Sequence, residues 1–392
     1  MSASTEKKLR AQARAEGTDK KTLAEKEEAA KQAKTKRRTI WAIIGVVLFV
    51  AIVLFLNSTF MYKNTTALTV GDTKFSPAEV GYVYGTQYQN FASTYGDYAS
   101  LFGLDTSYGI SGLASQACSM MDDENATWKD YFLQQTEENL KQLVALNKYA
   151  EENGITLSEE EKQSIDSAYT NLEETAKTNG FGSADKYVSA VFGKGVTVDV
   201  AKKMDTMNAI GYTAFAAYQD GIEVSDEEVE AEYPAINVRH ILIKAEADEN
   251  GEYSDEAIAA AEAKAKDILD EFNKGDKTED AFAALAEKYS EDGGSNTNGG
   301  LYEDVLQGQM VAEFNDWCFD ASRKVGDTGI VHGNNGSYDG YHVMYFAGNV
   351  KPADNATGIS NVKSEKASAW VEDLTKTLDV IEGSWLNLVG KF

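Results

Sequence analysis

Histidine and cysteine are both scarce in this sequence. Its 392 residues carry three histidines, His240, His332 and His342, and only two cysteines, Cys118 and Cys318. Cysteines so far apart form no short-spacing motif for zinc or thiol redox chemistry, and they read as buried small hydrophobes rather than a bridged pair. The stretch before His240 has no histidine, no nucleophile elbow and no phosphate loop, so it offers no catalytic constellation. Positive charge is also scarce beyond the N-terminus. The net charge is -26, yet residues 1–38 hold twelve Lys/Arg against six Asp/Glu, which leaves -32 for the rest. A body that acidic is repelled by phosphate backbones, and nucleic acid is excluded as a partner.

The basic end and the acidic body are divided by Ile40 to Leu56, an apolar run without a charged side chain, entered through Lys36-Arg37-Arg38. At about 1.5 Å per residue it spans most of a bilayer core. The reading is a transmembrane helix over 39–57, with the basic tail of 1–38 cytoplasmic and the bulk of the chain extracytoplasmic. Asn57-Ser58-Thr59-Phe60 offers no small-x-small cleavage site, so an uncleaved anchor is preferred to a signal peptide. No cysteine follows closely, which argues against a lipid anchor.

From 64 to 236 the pattern is mostly helical. Gly71-Asp72 centres a small hairpin, and Ser76-Pro77 opens a helix running to about Tyr95. Residues 96–125 are rich in Gly, Ser and Asp and read as a long irregular loop. Trp128, Tyr131, Phe132, Leu140, Leu143 and Val144 recur at helical spacing over 127–153. Ser158 with Glu161 caps one further helix to Asn179-Gly180, and others are expected over 184–192, 198–219 and 225–233. The aromatics read as ordinary core; the alternative is a groove for unfolded apolar segments.

From 237 to 350 the order is strand, helix, helix, glycine-rich turn, helix, strand, strand. Val238 to Ile243 is a β-branched strand whose alternation puts His240 with Val238 and Leu242. Helices follow at Ser254 and Thr278, then the Asp292 to Gly300 turn, then a helix from Gly308 through Phe314 to Phe319. Strands at 328–332 and 341–346 flank Gly333-Asn334-Asn335-Gly336, a hairpin signal. Taken alone, each histidine is better explained by a hydrogen-bonded core position than by catalysis. Glu246 to Ala257 fails as a calcium loop at its first and twelfth positions.

Five fragments in order, Arg239-His240-Ile241-Leu242, Tyr289-Ser290-Glu291-Asp292, Gly299-Gly300-Leu301, Gly308-Gln309-Met310 with Phe314, and Gly340-Tyr341-His342-Val343, resemble the parvulin family of peptidyl-prolyl isomerases. The resemblance implies His240, Asp292 and His342 as the catalytic group, and Leu301, Met310 and Phe314 as the pocket for a proline ring. It implies no cofactor and no metal. Two departures stand out. Gly300-Leu301-Tyr302 replaces the usual Gly-Asp-Leu-Gly, and the loop after the first strand is acidic, which disfavours phosphorylated substrates.

The remaining expectation is a linker over 351–361 and a C-terminal helix over 362–378 whose Trp370, Leu374 and Leu378 pack on the first domain. The fold class is therefore α+β: one transmembrane helix, a helical chaperone domain like the N-terminal domain of SurA, and an inserted parvulin-like domain with a small antiparallel sheet. This arrangement resembles PrsA-like and SurA-like extracytoplasmic foldases. The implied function is prolyl isomerisation on unfolded or nascent secreted polypeptides bearing X-Pro bonds. A non-enzymatic holdase using an inactive parvulin domain for binding is the alternative.

Overall fold

The computed structural model describes residues 3–391; the side chains of residues 29, 30, 56 and 57 lie outside the described set, and the last two end the expected membrane span. The chain is mostly helical and carries two small antiparallel sheets. In chain order the strands are β1 (Leu68–Val70), β2 (Thr73–Phe75), β3 (Ala235–Lys244), β4 (Leu301–Leu306), β5 (Thr328–Asn334), β6 (Asp339–Asn349) and β7 (Val380–Glu382). Two compact units result: Met1–Val144 with Ser158–Asn208 and Leu378–Phe392, and Ala145–Leu157 with Ala209–Thr377.

The first unit begins with helices Ala3–Ala15 and Lys20–Asn57. Every residue from Ile40 to Phe55 is exposed. Theirs is the one described helix long and apolar enough to cross a membrane. Beyond it, the β1–β2 hairpin turns at Gly71 (φ +54°), and β1 pairs on its other edge with β7. Ser76 closes a full capping box with Glu79 at the start of the Pro77–Tyr95 helix. Leu68, Phe75, Tyr84, Trp128, Phe132 and Leu140 form the core.

Sequence patterning misjudged two places here. Residues 96–125 are not an irregular loop but three 3-10 turns, Gly96–Phe102, Thr106–Tyr108 and Ile110–Ser115, which bury Leu104, Ile110, Leu113 and Cys118 in the core. The single helix expected from Ser158 is two, Glu159–Ala168 and Leu172–Thr178. The chain bends between them at Tyr169, whose hydroxyl donates to Asp205 at 2.5 Å. The segment after the last helix supplies β7 and the buried Val389.

In the second unit the strand order is β4-β3-β6-β5, all antiparallel. β3 and β6 form its centre, with His240 opposite Met344 and Leu242 opposite His342. Alternation gives the sheet two faces. Ile241, Ile243, Val343 and Tyr345 pack under helices Asp255–Lys274 and Glu279–Tyr289, meeting Ala265, Ile268, Phe272 and Phe282. Val238, Met344 and Phe346 face the other way, toward Phe314 and Cys318 of helix Ala312–Cys318.

Three readings are corrected. β4 was not expected. The helix read from Gly308 starts at Ala312, because Gly308 is left-handed (φ +87°) and the Gln309 side chain accepts the Leu306 N–H, which holds 306–309 as a turn. The linker read over 351–361 is mostly helix, since Asn355 caps Ala356–Lys376 through the Gly358 N–H. Within this helix Trp370 stacks on Tyr218, centroids 3.7 Å apart, and meets Tyr149 edge-on. Both cysteines are buried and unbridged.

Candidate active site

The site grows out of β3. Gly299 and Gly300 both adopt positive φ (+72° and +74°), and a Cβ on Gly300 would lie 2.2 Å from the His240 carbonyl oxygen. Only glycine lets the chain approach that closely, and the Gly300 carbonyl accepts the His240 N–H at 2.9 Å. The Ser290–Asp292 turn is tied to the same strand. Leu242 N–H donates to Ser290 Oγ at 3.2 Å, and Glu291 N–H donates to the Leu242 carbonyl at 2.8 Å. Asp292 is thereby held against His240.

His240 and His342 are buried, 3% and 4% exposed, and meet Nδ1 to Nδ1 at 2.9 Å. His240 Nε2 lies 3.1 Å from Asp292 Oδ2. His342 Nε2 lies 2.8 Å from the Tyr338 hydroxyl. Here again a glycine makes room: a Cβ on Gly333 would lie 2.5 Å from His342 Nε2. Asp292 Oδ2 also accepts the hydroxyls of Ser295 (2.5 Å) and Tyr302 (3.0 Å), while Oδ1 accepts the Gly294 N–H at 3.2 Å. The Phe314 ring stands edge-on to both imidazoles, 5.5 and 5.4 Å between centroids, and Met310 packs on the same apolar cluster.

These contacts set the protons. The hydrogen bond from His240 holds Asp292 well below the usual carboxylate range, against the opposing effect of burial, with Ser295 and Gly294 adding to it. An ionised carboxylate only accepts, so His240 Nε2 carries a proton. Burial, then the neighbouring His240, pushes His342 down to about 3, with Asp292 opposing, so His342 is neutral at pH 7. With His342 neutral, one proton bridges the two facing Nδ1 atoms, and the Tyr338 hydroxyl and the Asp292 carboxylate close the two ends of the chain. Burial, then the bond to Asp292, pushes Tyr302 up to about 12 and keeps its phenol protonated.

Of the six residues expected in the site, the structure brings together His240, His342, Asp292, Phe314 and Met310. Leu301 is the exception. It pairs with Arg239, whose guanidinium turns to Glu279 and to the Asn298 and Gly299 carbonyls, and alternation gives the histidine face to Tyr302 instead. The Tyr302 ring lies 5.1 Å from His240. Ser295, Tyr302 and Tyr338 were not foreseen; the one available signal was Tyr302, which breaks the familiar Gly-Asp-Leu-Gly pattern. His332 is engaged elsewhere, with Asp339 at 2.7 Å. Among the described residues no cluster of three His, Cys, Asp or Glu side chains could hold a metal ion. A cavity of about 370 Å³ in the same unit, between the start of β3 and Phe319–Arg323, contains none of the site residues.

The site therefore joins two buried imidazoles and an ionised carboxylate to an apolar wall. Residues 225–344 match the family of the PPIC-type PPIASE domain, and this part of the chain is a parvulin-type domain. The chain is related to PrsA foldases and SurA chaperones. It is 30% identical over 168 residues to foldase protein PrsA 1 of Listeria monocytogenes, covering 41% of this chain and 49% of that one. It is 37% identical over 107 residues to chaperone SurA of Chromohalobacter salexigens, 27% of this chain and 21% of that one. The chain thus spans about half the length, or less, of the curated relatives it matches. The crystal structure of peptidylprolyl isomerase PrsA from Bacillus anthracis aligns over 61% of this chain and 93% of that one, at 22% identity and a TM-score of 0.27.

Proposed function

We propose that this chain is a membrane-anchored, extracytoplasmic peptidyl-prolyl isomerase that assists the folding of secreted proteins. The observation that carries the reading is the desolvated His240–His342 pair, closed at one end by Asp292 and walled by Phe314. Rotation about a peptide bond meets a barrier of about 18–20 kcal/mol, which is lost amide resonance, and no bond has to break. A dry pocket formed by Met310 and Phe314 grips the proline ring. The polar chain beside it favours the twisted amide over the planar one. His240, His342 and Asp292 are the catalytic group, and no cofactor is needed.

In this reading Ile40–Phe55 crosses the membrane, the basic N-terminal tail is cytoplasmic, and the rest works outside. Residues 64–236 form the part that holds clients, with residues 237–350 inserted between it and the C-terminal helix. The clients are unfolded or nascent secreted polypeptides with X-Pro bonds; the names of the foldase and chaperone relatives support this class. The acidic 246–256 segment argues against phosphorylated substrates.

One observation favours the holdase alternative. Tyr302, Ser295 and His240 together saturate Asp292 Oδ2, which leaves that oxygen little capacity for a substrate. Catalysed isomerisation of a proline tetrapeptide by the full chain in detergent separates the readings. A rate above the uncatalysed one, lost in His240→Ala, supports the isomerase. Suppressed aggregation of an unfolded protein at the uncatalysed rate supports the holdase.

A further inference from the structure

Within the first unit, helices Pro77–Tyr95, Trp128–Glu152 and Val198–Asp220 contribute to a cleft of about 130 Å³. Four carboxamides line it: Gln87 and Asn90 from the first helix, Asn139 from the second and Asn208 from the third. Among the described residues, none of the four hydrogen-bonds to another protein group. Asparagine is a poor helix former because its amide competes with the backbone. At helix ends this chain satisfies it locally: Asn64, Asn153 and Asn179 each donate to the carbonyl four residues back, at 2.8–2.9 Å. Asn90, Asn139 and Asn208 lie inside helices and do not.

The same cleft is lined by the buried apolar side chains of Val83 and Met204, and by Asp205. The two carboxylate oxygens of Asp205 accept the hydroxyls of Tyr82 (2.6 Å) and Tyr169 (2.5 Å). Its basic neighbours in sequence are engaged elsewhere, Lys202 with Asp166 and Lys203 with Glu79. The carboxylate is therefore fixed in place by neutral donors, and no ion pair joins it to a cation among the described residues, the Lys202 ammonium lying over the Tyr169 ring at 5.5 Å from its centroid.

We propose that this cleft binds an extended polypeptide segment by its main-chain amides, with a lysine or arginine side chain of that segment meeting Asp205. The inference rests on the reading of the chain as a foldase that holds unfolded clients. A carboxamide donates and accepts, the same pairing a peptide group offers. An unfolded segment carries one unpaired N–H and C=O at nearly every residue. Four such groups on rigid helices grip a backbone whatever its side chains. The size agrees: a drug-sized ligand needs about 300 Å³ or more, whereas this cleft suits a peptide unit of a longer chain running past. The -32 charge of the chain beyond residue 38 draws basic segments toward it.

The test uses the full chain in detergent micelles and a labelled, proline-free, unstructured peptide bearing lysines. The same peptide N-methylated at alternate residues keeps every side chain and loses every second main-chain donor. N-methylation is expected to weaken binding to the wild type about tenfold. The double variant Asn139→Leu with Asn208→Leu binds the plain peptide about tenfold more weakly than the wild type and no longer distinguishes the two peptides. Should the double variant lose helical signal, Asn208→Ala alone, at an exposed position, gives a smaller loss of the same kind. Asp205→Asn abolishes the preference for lysine over glutamine in the peptide.

Equal binding of plain and N-methylated peptides by the wild type overturns the proposal. So does a double variant that still distinguishes them, or displacement of the peptide by an oligosaccharide with no sensitivity to N-methylation. If these outcomes appear while wild-type binding and proline-tetrapeptide isomerisation persist, the cleft alone is wrong. If the wild type binds neither peptide, the client-holding reading falls with it.

Discussion

His240 and His342 face each other Nδ1 to Nδ1 across 2.9 Å, at the centre of a chain that starts at the Tyr338 hydroxyl and ends at Asp292. Two imidazoles in that geometry share one proton between the facing nitrogens, so neither can be removed without leaving the other unpaired. Replacing His342 with Ala strands both His240 Nδ1 and the Tyr338 hydroxyl. We expect a loss of about 1–3 kcal/mol in stability, read from the urea midpoint. Isomerase kcat/KM should fall by about tenfold or more, since the effect of one lost polar contact at the reacting amide is of that order. His342→Gln, which can still accept from Tyr338, should recover stability better than activity.

The pH dependence of stability follows from the same burial. His342 is pushed down to about 3 when folded, whereas an unfolded histidine titrates near 6.5. Below about pH 6.5 the unfolded chain therefore takes up a proton that the folded chain refuses. This contribution is whole above about pH 6.5 and is lost as pH falls toward 3, at about 1.4 kcal/mol per pH unit at most. Asp292, depressed in the fold, acts in the same direction at lower pH, because its stabilisation is present above about pH 4 and lost as pH falls through its folded value. Urea titrations of the second unit between pH 4 and 7 should show a rising midpoint, flattened between pH 5 and 6.5 in His342→Gln. An unchanged slope in that variant would mean that His342 is not the group responsible.

The legibility of this site in the sequence was uneven for physical reasons. The β-branched pattern of 238–243 made the first strand readable and put His240 on one face with Val238 and Leu242, whereas its pairing with His342 was implied by the family resemblance. Tyr302 was not readable in this way. Its strand reads Leu-Tyr-Glu-Asp-Val-Leu, with two exposed acidic residues at its centre and Asp304 at φ +53°, beside a register shift in β3. Irregularity of that kind erases the period-two signal from which a strand is recognised. Residues 96–125 failed for a related reason. Their buried Leu104, Ile110, Leu113 and Cys118 follow 3-10 turns rather than a helical or strand repeat. Helices with capping boxes, such as those opened by Ser76, Ser158 and Ser225, were found at their first residue.

Tyr302→Phe keeps the ring beside His240 and removes one of three donors to Asp292 Oδ2. The Asp292 carboxyl should then titrate at a higher pH than in the wild type, visible in carbon NMR of the labelled carboxyl group. If the site is an isomerase, the acid limb of its pH–rate profile shifts upward with it. A titration that does not move would show that Ser295 and His240 alone hold the carboxylate.

Phe314 and Met310, the proposed wall for a proline ring, carry different loads. Phe314 is 2% exposed and packs among Val238, Met344 and Phe346, so Phe314→Ala should cost about 3–5 kcal/mol and unfold much of the second unit. Met310 is only partly buried at the edge of that cluster. Met310→Ala should therefore leave the melting temperature nearly unchanged while raising KM for a proline peptide severalfold, the signature of lost binding rather than lost fold.

The C-terminal segment makes the last test. β7 covers the free edge of β1 through Leu68–Glu382, Thr69–Ile381 and Val70–Val380, while Val389 is 1% exposed and Leu378 and Leu386 pack on the same core. Removing residues 378–392 uncovers that strand edge and takes away apolar burial of about 1.5–3 kcal/mol for each fully buried side chain. The truncated protein should unfold at a lower temperature and aggregate through β1, whereas the histidine pair, built entirely from residues 240–342, should keep its imidazole NMR signals. Loss of those signals on truncation would mean that the site depends on residues beyond the strands and turns that hold it.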